Sequence, residues 1–222
     1  MRFLVISDLH GDLPSACAAI ETFEPDVLLS CGDWGDPGEI SQTDLAAFPA
    51  RLPVYTTFGN HDPLEWLAHL KNQDGSSVLL EQGKVTLVSN VRLAAIGGIW
   101  AKSHRLPHYV TDADVAEMAA RIAEEGPVDI LLTHACPVGL ADLTPSGRHG
   151  GQRCFLDAFD TIAPRIHICG HLHVPQKRTL KDGRIVLNVG ETPAGSVVVI
   201  EAENSGITAY LERLNVRKQI HE

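Results

Sequence analysis

An α/β fold is predicted by three features of the chain. Six short apolar runs, at residues 3–7, 27–31, 54–58, 93–96, 130–133 and 166–169, recur through the first two thirds and have the length of strands. Segments mixing Ala, Leu and charged residues, at 13–23, 41–48, 63–70, 113–124 and 152–162, lie between them and suit helices that cover a sheet. After Pro175 the rhythm changes to runs at 179–181, 185–189, 197–201 and 207–211. These are separated by Asp182-Gly183, Pro193-Ala194-Gly195 and Asn204-Ser205-Gly206, which predict hairpin-like turns between strands.

Taken in order, Met1-Arg2-Phe3-Leu4-Val5-Ile6 is too short for a secretory apolar segment and passes directly into Ser7-Asp8, so it predicts a first strand. Asp, Ser or Pro starts several of the helical stretches. No repeat, low-complexity tract or Pro/Ser-rich linker interrupts the pattern, which predicts one domain over 1–215 and a terminal tail at 216–222. A chain of 222 residues, 44% of them hydrophobic, is long enough to bury a substantial core. No run approaches the roughly 18 apolar residues of a membrane span, so a soluble, cytoplasmic protein is expected. The five cysteines are odd in number and contain no CxxC pair, which predicts free thiols, with Cys31 and Cys169 as small buried hydrophobes. A formal net charge of -10 disfavours extensive nucleic-acid binding.

The polar clusters Asp8-Leu9-His10, Gly32-Asp33, Gly59-Asn60-His61, His134 and Gly170-His171-Leu172-His173 each follow an apolar run. Ligands of open α/β sheets bind beyond the carboxyl ends of strands, so these clusters are expected to converge. In Asp8-Leu9-His10 and His171-Leu172-His173 the polar residues are two apart; an extended backbone would turn both to one side and the leucine away. Asp8, Asp33, Asn60, His10, His134, His171 and His173 supply carboxylate, amide and imidazole donors suited to divalent cations, and they are too many for one ion. Two ions roughly 3.5–4 Å apart, sharing a carboxylate and a water, activate hydroxide and clamp a phosphate. Two dications against two aspartates and one hydroxide leave a single positive charge, so an anionic phosphate ester is the natural substrate.

These motifs resemble, in identity and chain order, the calcineurin-like metallophosphoesterase superfamily, whose pattern is DxH, GDxx, GNH[DE], a lone His and GHxH. The resemblance extends over roughly residues 1–200. It implies a four-layer α/β/β/α sandwich of two mixed sheets flanked by helices. It also implies that Asp8, His10 and His173 hold one metal, that Asn60, His134 and His171 hold the other, and that Asp33 bridges. His61 matches the general acid of the family, and Asp36 matches the residue that orients it. Two divalent ions are implied; manganese is the expected occupant, with iron or zinc as alternatives. Protein phosphatases of the family continue Gly-Asp-x-x-Asp-Arg-Gly, whereas here Pro37 follows Asp36. A proline cannot supply a guanidinium to phosphate, which disfavours a protein phosphatase and favours the family's small-molecule phosphodiesterases or phosphomonoesterases; small phosphodiesters such as cyclic nucleotides are the expected substrates.

Each motif alone has an ordinary structural reading, as a cap, a turn or a core histidine; five of them in order at five strand ends do not. His167 sits between Ile166 and Ile168, so alternation turns it to the opposite sheet face, as a structural residue. The polar loops 98–110, with His104, and 140–151, with Arg148, are candidate substrate contacts. A phosphomonoesterase or nuclease on the same site, and a non-catalytic binding module on the same scaffold, remain the competing readings. Oligomeric state is open.

Overall fold

The computed structural model describes residues 1–203 and 206–214. The expected tail at 216–222, the last residue of the expected domain and the Asn204-Ser205 part of the expected turn lie outside the described residues.

The first half of the chain forms β1 (Arg2–Ile6), α1 (Leu13–Phe23), β2 (Val27–Ser30), α2 (Gln42–Arg51), β3 (Val54–Thr56), α3 (Leu64–His69), β4 (Val85–Val88), β5 (Val91–Ile96), β6 (Ile99–Trp100) and β7 (Tyr109–Val110). The second half forms α4 (Asp112–Glu124), β8 (Ile130–Thr133), α5 (Arg153–Ile162), β9 (Ile166–Cys169), β10 (Gln176–Thr179), β11 (Ile185–Asn188), β12 (Ser196–Glu203) and β13 (Gly206–Arg213). One sheet has the order β13-β12-β1-β2-β3 and the other β10-β11-β9-β8-β5-β4. Both are mixed: β1, β2 and β3 are parallel, as are β5, β8, β9 and β11, while β12 pairs antiparallel with β1 and β13, β4 with β5 and β10 with β11; β6 and β7 form a separate parallel pair.

Period-two alternation makes the layers. Phe3 and Val5 of β1 pack with Leu29, Ile130, Leu132, Ile166 and Ile168 in a core between the sheets. Leu4, Ile6 and Leu28 face the opposite way and pack under Ala16 and Ile20 of α1 and Leu45 and Phe48 of α2. Ala94, Ile96 and Leu131 do the same under α4 and α5, against Val115, Ile122 and Phe155. Strands buried on both faces require near-continuous apolar runs, which is how they read in sequence. The result is the expected α/β/β/α sandwich, with about 1.5–3 kcal/mol contributed by each fully buried large side chain.

Helix starts follow local chemistry. Ser41 with Asp44, and Thr111 with Asp114, form capping boxes at α2 and α4, and Asp12 caps α1 through Ser15 N–H. Helix α2 runs three residues past the expected end at 48, through Pro49, because Phe48 and Pro49 are buried and Leu52 N–H still reaches Phe48 C=O at 3.2 Å. The run expected at 179–181 forms its strand earlier, as β10, since its ladder to β11 pairs Gln176 with Asn188. Pro193-Ala194-Gly195 is not a hairpin turn. It carries the chain from β11 in one sheet to β12 in the other, where β12 pairs with β1. Strands β4, β6 and β7 were not expected from the apolar pattern.

Candidate metal centre

The polar clusters lie beyond the carboxyl ends of β1, β2 and β3 in one sheet and of β8 and β9 in the other. Their backbone is not extended. Asp8, His10, Asp33, His171 and His173 have φ of 54°, 45°, 57°, 67° and 57°, half of the ten non-glycine residues with positive φ among those described. Left-handed geometry costs of order 1–3 kcal/mol per residue and persists only when surroundings enforce it. Here they do: Asp8 N–H donates to Gly32 C=O at 3.1 Å, Leu9 and His10 N–H to Asp33 C=O at 2.8 and 3.1 Å, and His171 N–H to Asp8 Oδ2 at 3.0 Å. The side chains therefore converge through a coiled backbone, with Leu9 turned into the helix-side core. Gly59 and Gly170 allow the close approach: a Cβ on Gly59 would collide with Asp33 Oδ1 and the His134 ring, and one on Gly170 with Ser7 and Asp8.

Three overlapping sets of donors come together, Asp8 with His10 and His173, His10 with Asp33 and His61, and Asp8 with Asp33 and His134, each with ligand atoms within 4.8 Å of one another. His173 Nε2 is 3.2 Å from Asp8 Oδ1, and His10 Nε2 is 3.3 Å from His173 Nε2. The His134 and His171 rings lie 5.0 Å apart. His134, fully buried, donates Nδ1–H to Cys31 C=O at 2.9 Å, which aims Nε2 at Asp33 Oδ2, 3.3 Å away. That approach has the distance of an ion pair but makes no hydrogen bond, and Nε2 is left without one, as is the buried Asn60 Oδ1. An orphaned imidazole nitrogen beside the carboxylates of Asp8 and Asp33, and an orphaned buried amide oxygen on Asn60, are what a divalent cation satisfies, so the residues present fit a metal centre.

Charge is concentrated here. Burial disfavours charge on Asp33, yet His134 and the His61 N–H hold it well below the usual carboxylate range. Burial also pulls His134 down, but Asp33 outweighs it and pushes His134 up to about 10, so a cation entering the site displaces a proton. His171 is driven down to about 4 by burial and then by His134, leaving a neutral imidazole suited to coordination. His173 is raised by its hydrogen bond to Asp8.

His61 stands at the rim. Its Nδ1 pairs with Asp36 Oδ2 at 2.8 Å, which raises its pKa, and its N–H donates to Asp33 Oδ1 at 2.7 Å. His167 faces away from the site, bonded to Thr133 Oγ1 at 2.8 Å and stacked on Phe159, as alternation predicts. His104 and Arg148 do not join the cluster. The His104 ring is bonded to Asp114, and exposed Arg148 is held through its backbone by Thr144.

Three residues that sequence reasoning passed over belong to the surroundings of the site. The Asp62 carboxyl accepts N–H bonds from Gly59, Asp33 and Trp34 at 2.7–2.8 Å, locking two ligand loops together, and burial with neighbouring Asp33 pushes it up to about 6. Its place in Gly59-Asn60-His61-Asp62 was the available signal. Glu191 lies 3.4 Å from His173 Nδ1, placed there by Thr192, which exchanges hydrogen bonds with Ser7. His108, rather than His104, is the histidine of its loop that lies within electrostatic reach of Asp33; burial lowers it and Asp33 opposes that shift.

Residues 1–175 match a family described as calcineurin-like phosphoesterase. The chain is 27% identical over 181 residues to the uncharacterized protein MJ1162 of Methanocaldococcus jannaschii, covering 78% of this chain and 80% of that one. It is 25% identical over 185 residues to a lariat debranching enzyme of Arabidopsis thaliana, covering 64% of this chain and 44% of that one. The crystal structure of TT1561 of Thermus thermophilus superposes with a TM-score of 0.72 at 16% identity, covering 94% of this chain and 97% of that one, a likeness of fold.

Proposed function

The chain belongs to the calcineurin-like phosphoesterase family, and from that premise we propose that it hydrolyses small phosphate esters with two divalent ions, phosphodiesters in preference to monoesters. The observation that carries this reading is the gathering of Asp8, His10, Asp33, His134 and His173 in overlapping donor sets, with His134 Nε2 and the buried Asn60 Oδ1 left without a hydrogen bond. Asp8, His10 and His173 would hold one ion, Asn60, His134 and His171 the other, with Asp33 shared. Divalent ions supply Lewis acidity and a nucleophilic water at neutral pH. Manganese is the proposed occupant, and mixed oxygen and nitrogen donors suit it.

The chain itself contributes the proton. Asp36 accepts from His61 Nδ1, so Nε2 faces outward and carries the proton that the departing alkoxide oxygen takes. The raised pKa of His61 keeps that proton in place near neutrality. Among the described residues no lysine or arginine is paired with any member of the cluster, which suits a singly charged diester better than a doubly charged monoester. Pro37, following Asp36, withholds the guanidinium of the protein phosphatases. The five free cysteines support a reducing, cytoplasmic address.

Chelated protein reloaded separately with Mn, Zn, Fe or Mg is the test. Faster cleavage of bis(p-nitrophenyl) phosphate than of p-nitrophenyl phosphate is expected; cleavage of the monoester alone makes the protein a monoesterase, and no cleavage with any metal overturns the reading. His61→Ala should keep its metal content and lose about 100-fold in turnover of esters with poor leaving groups.

A further inference from the structure

The loop between β8 and α5 closes at its neck, where Gln152 N–H donates to Cys136 C=O at 2.8 Å, two residues after His134. It projects at the carboxyl end of β8, the same end as the metal centre. Gly150 rests on Leu172, between His171 and His173, so closely that a Cβ there would lie 2.9 Å from Leu172 Cδ2. Gln176, three residues after His173, staples the loop from the other side: it accepts Leu143 N–H at 3.0 Å and donates to Leu143 C=O at 2.7 Å.

Within this loop Asp142 is 1% exposed. Its Oδ1 accepts His149 Nδ1–H at 2.7 Å and its Oδ2 accepts Gly151 N–H at 3.1 Å. The His149 side chain is otherwise 60% exposed, and its Nε2 has no partner among the described residues. A buried carboxylate is costly. Asp142 ties the end of the loop through Gly151 and holds one exposed imidazole in a fixed orientation.

That imidazole lines a cavity of about 320 Å³ between the loop and β10, with Asp142, Leu143, Gln176, Lys177 and Arg178. Alternation puts Gln176 and Arg178 on one face of β10 and Lys177 on the other. Lys177 is engaged there, donating to Ala209 C=O at 2.7 Å and lying over the Tyr210 ring. Arg178 is exposed, and its guanidinium has neither an ion pair nor a hydrogen bond among the described residues. Three residues of chain span at most about 10 Å, so this wall begins within one substrate length of His173.

We propose that this cavity receives a second phosphate of the substrate, borne by the organic group beyond the scissile phosphate. Arg178 offers a guanidinium fork. His149, held at Nδ1 by Asp142, presents its exposed ring to the phosphate. The inference rests on the phosphoester reading of the metal centre, and it narrows the substrate to bisphosphorylated esters.

The probes are thymidine 5'-phosphate and thymidine 3',5'-bisphosphate, bound to manganese-loaded protein and followed by calorimetry, and the p-nitrophenyl 5'-esters of both, followed by hydrolysis. The bisphosphate should bind about tenfold more tightly than the monophosphate, the scale of one charge-assisted hydrogen bond. The 3'-phosphorylated ester should show a correspondingly lower KM. His149→Gln and Arg178→Gln, both at exposed positions, should each shrink these ratios toward unity. Equal affinities for the two ligands, or ratios that both variants leave untouched, overturn the proposal. If neither ester is hydrolysed while the bisphosphate preference holds and depends on Arg178, the hydrolytic reading fails and the cavity assignment stands.

Discussion

Glu191, at 3.4 Å from His173 Nδ1, is a residue whose role only proximity reveals. A carboxylate behind a metal-binding imidazole fixes its ring and raises its basicity, so Glu191→Gln should weaken metal affinity about tenfold. Titration of the chelated protein with Mn, followed by calorimetry, measures this; an unchanged affinity would remove Glu191 from the centre. Asp36 acts on His61 in a comparable way. It raises the His61 pKa by hydrogen bonding, so the protonated form persists above the ordinary histidine range and is lost as pH rises through the raised value. Asp36→Asn should therefore move the basic limb of the pH profile of kcat/KM to lower pH, and a limb that stays in place would separate Asp36 from the acid. The ligand-type residues were legible because their chemistry is local to each motif. Glu191 and the Asp142–His149 pair were not, since a carboxylate acquires its role from a partner that only the fold brings to it, and Asp62, although its motif was the available signal, shows its three N–H partners only in the structure.

Strand β9 shows what an element decides. Ile166 and Ile168 enter the core between the sheets while His167 faces α5, stacked on Phe159 and bonded to Thr133. Burial drives His167 down to about 3. The unfolded chain binds a proton near pH 6.5 that the folded chain refuses, so this residue's stabilising effect is complete above that pH and lost as pH falls toward 3. The slope is at most about 1.4 kcal/mol per pH unit. His167→Phe should flatten the acid limb of stability, read by urea melts between pH 7 and 4; an unaltered limb would show that another group governs it. At the end of the same strand, Gly170→Ala should abolish metal uptake, because its Cβ would collide with Ser7 and Asp8. Binding by that variant with normal affinity would mean the loops are looser than their bonds imply. The starts of α1, α2 and α4 were legible from their capping residues. Strands β6 and β7, two residues each, were not, because two residues carry no period.

For the whole molecule, the candidate metal centre joins loops from both sheets, so a cation bound there should stabilise the sandwich as one unit. Saturation at 100 times Kd contributes about 2.7 kcal/mol, or roughly 5–10 °C in Tm for a domain of this size. Differential scanning calorimetry of chelated and Mn-loaded protein tests this, and identical Tm values would argue against binding at that junction. A cavity of about 570 Å³ lies between α4 and α5, lined by Trp100, Asp112 and Cys154 among others, and shares no residue with the centre. No helix among the described residues is long and apolar enough to cross a membrane. What the sequence by itself determined was the alternation of strands and helices, save β4, β6 and β7, and the donor types at strand ends, because periodicity, capping and ligand chemistry are properties of neighbouring residues; the four layers were implied by the family resemblance. The tertiary structure alone decided that Pro193-Ala194-Gly195 crosses between sheets, that the DxH and HxH segments coil through left-handed φ, and that His149 rather than Arg148 is the ordered side chain of its loop. The first two depend on hydrogen bonds between residues far apart in the chain and the third on a side-chain bond across one folded loop, and such bonds leave no local pattern to read.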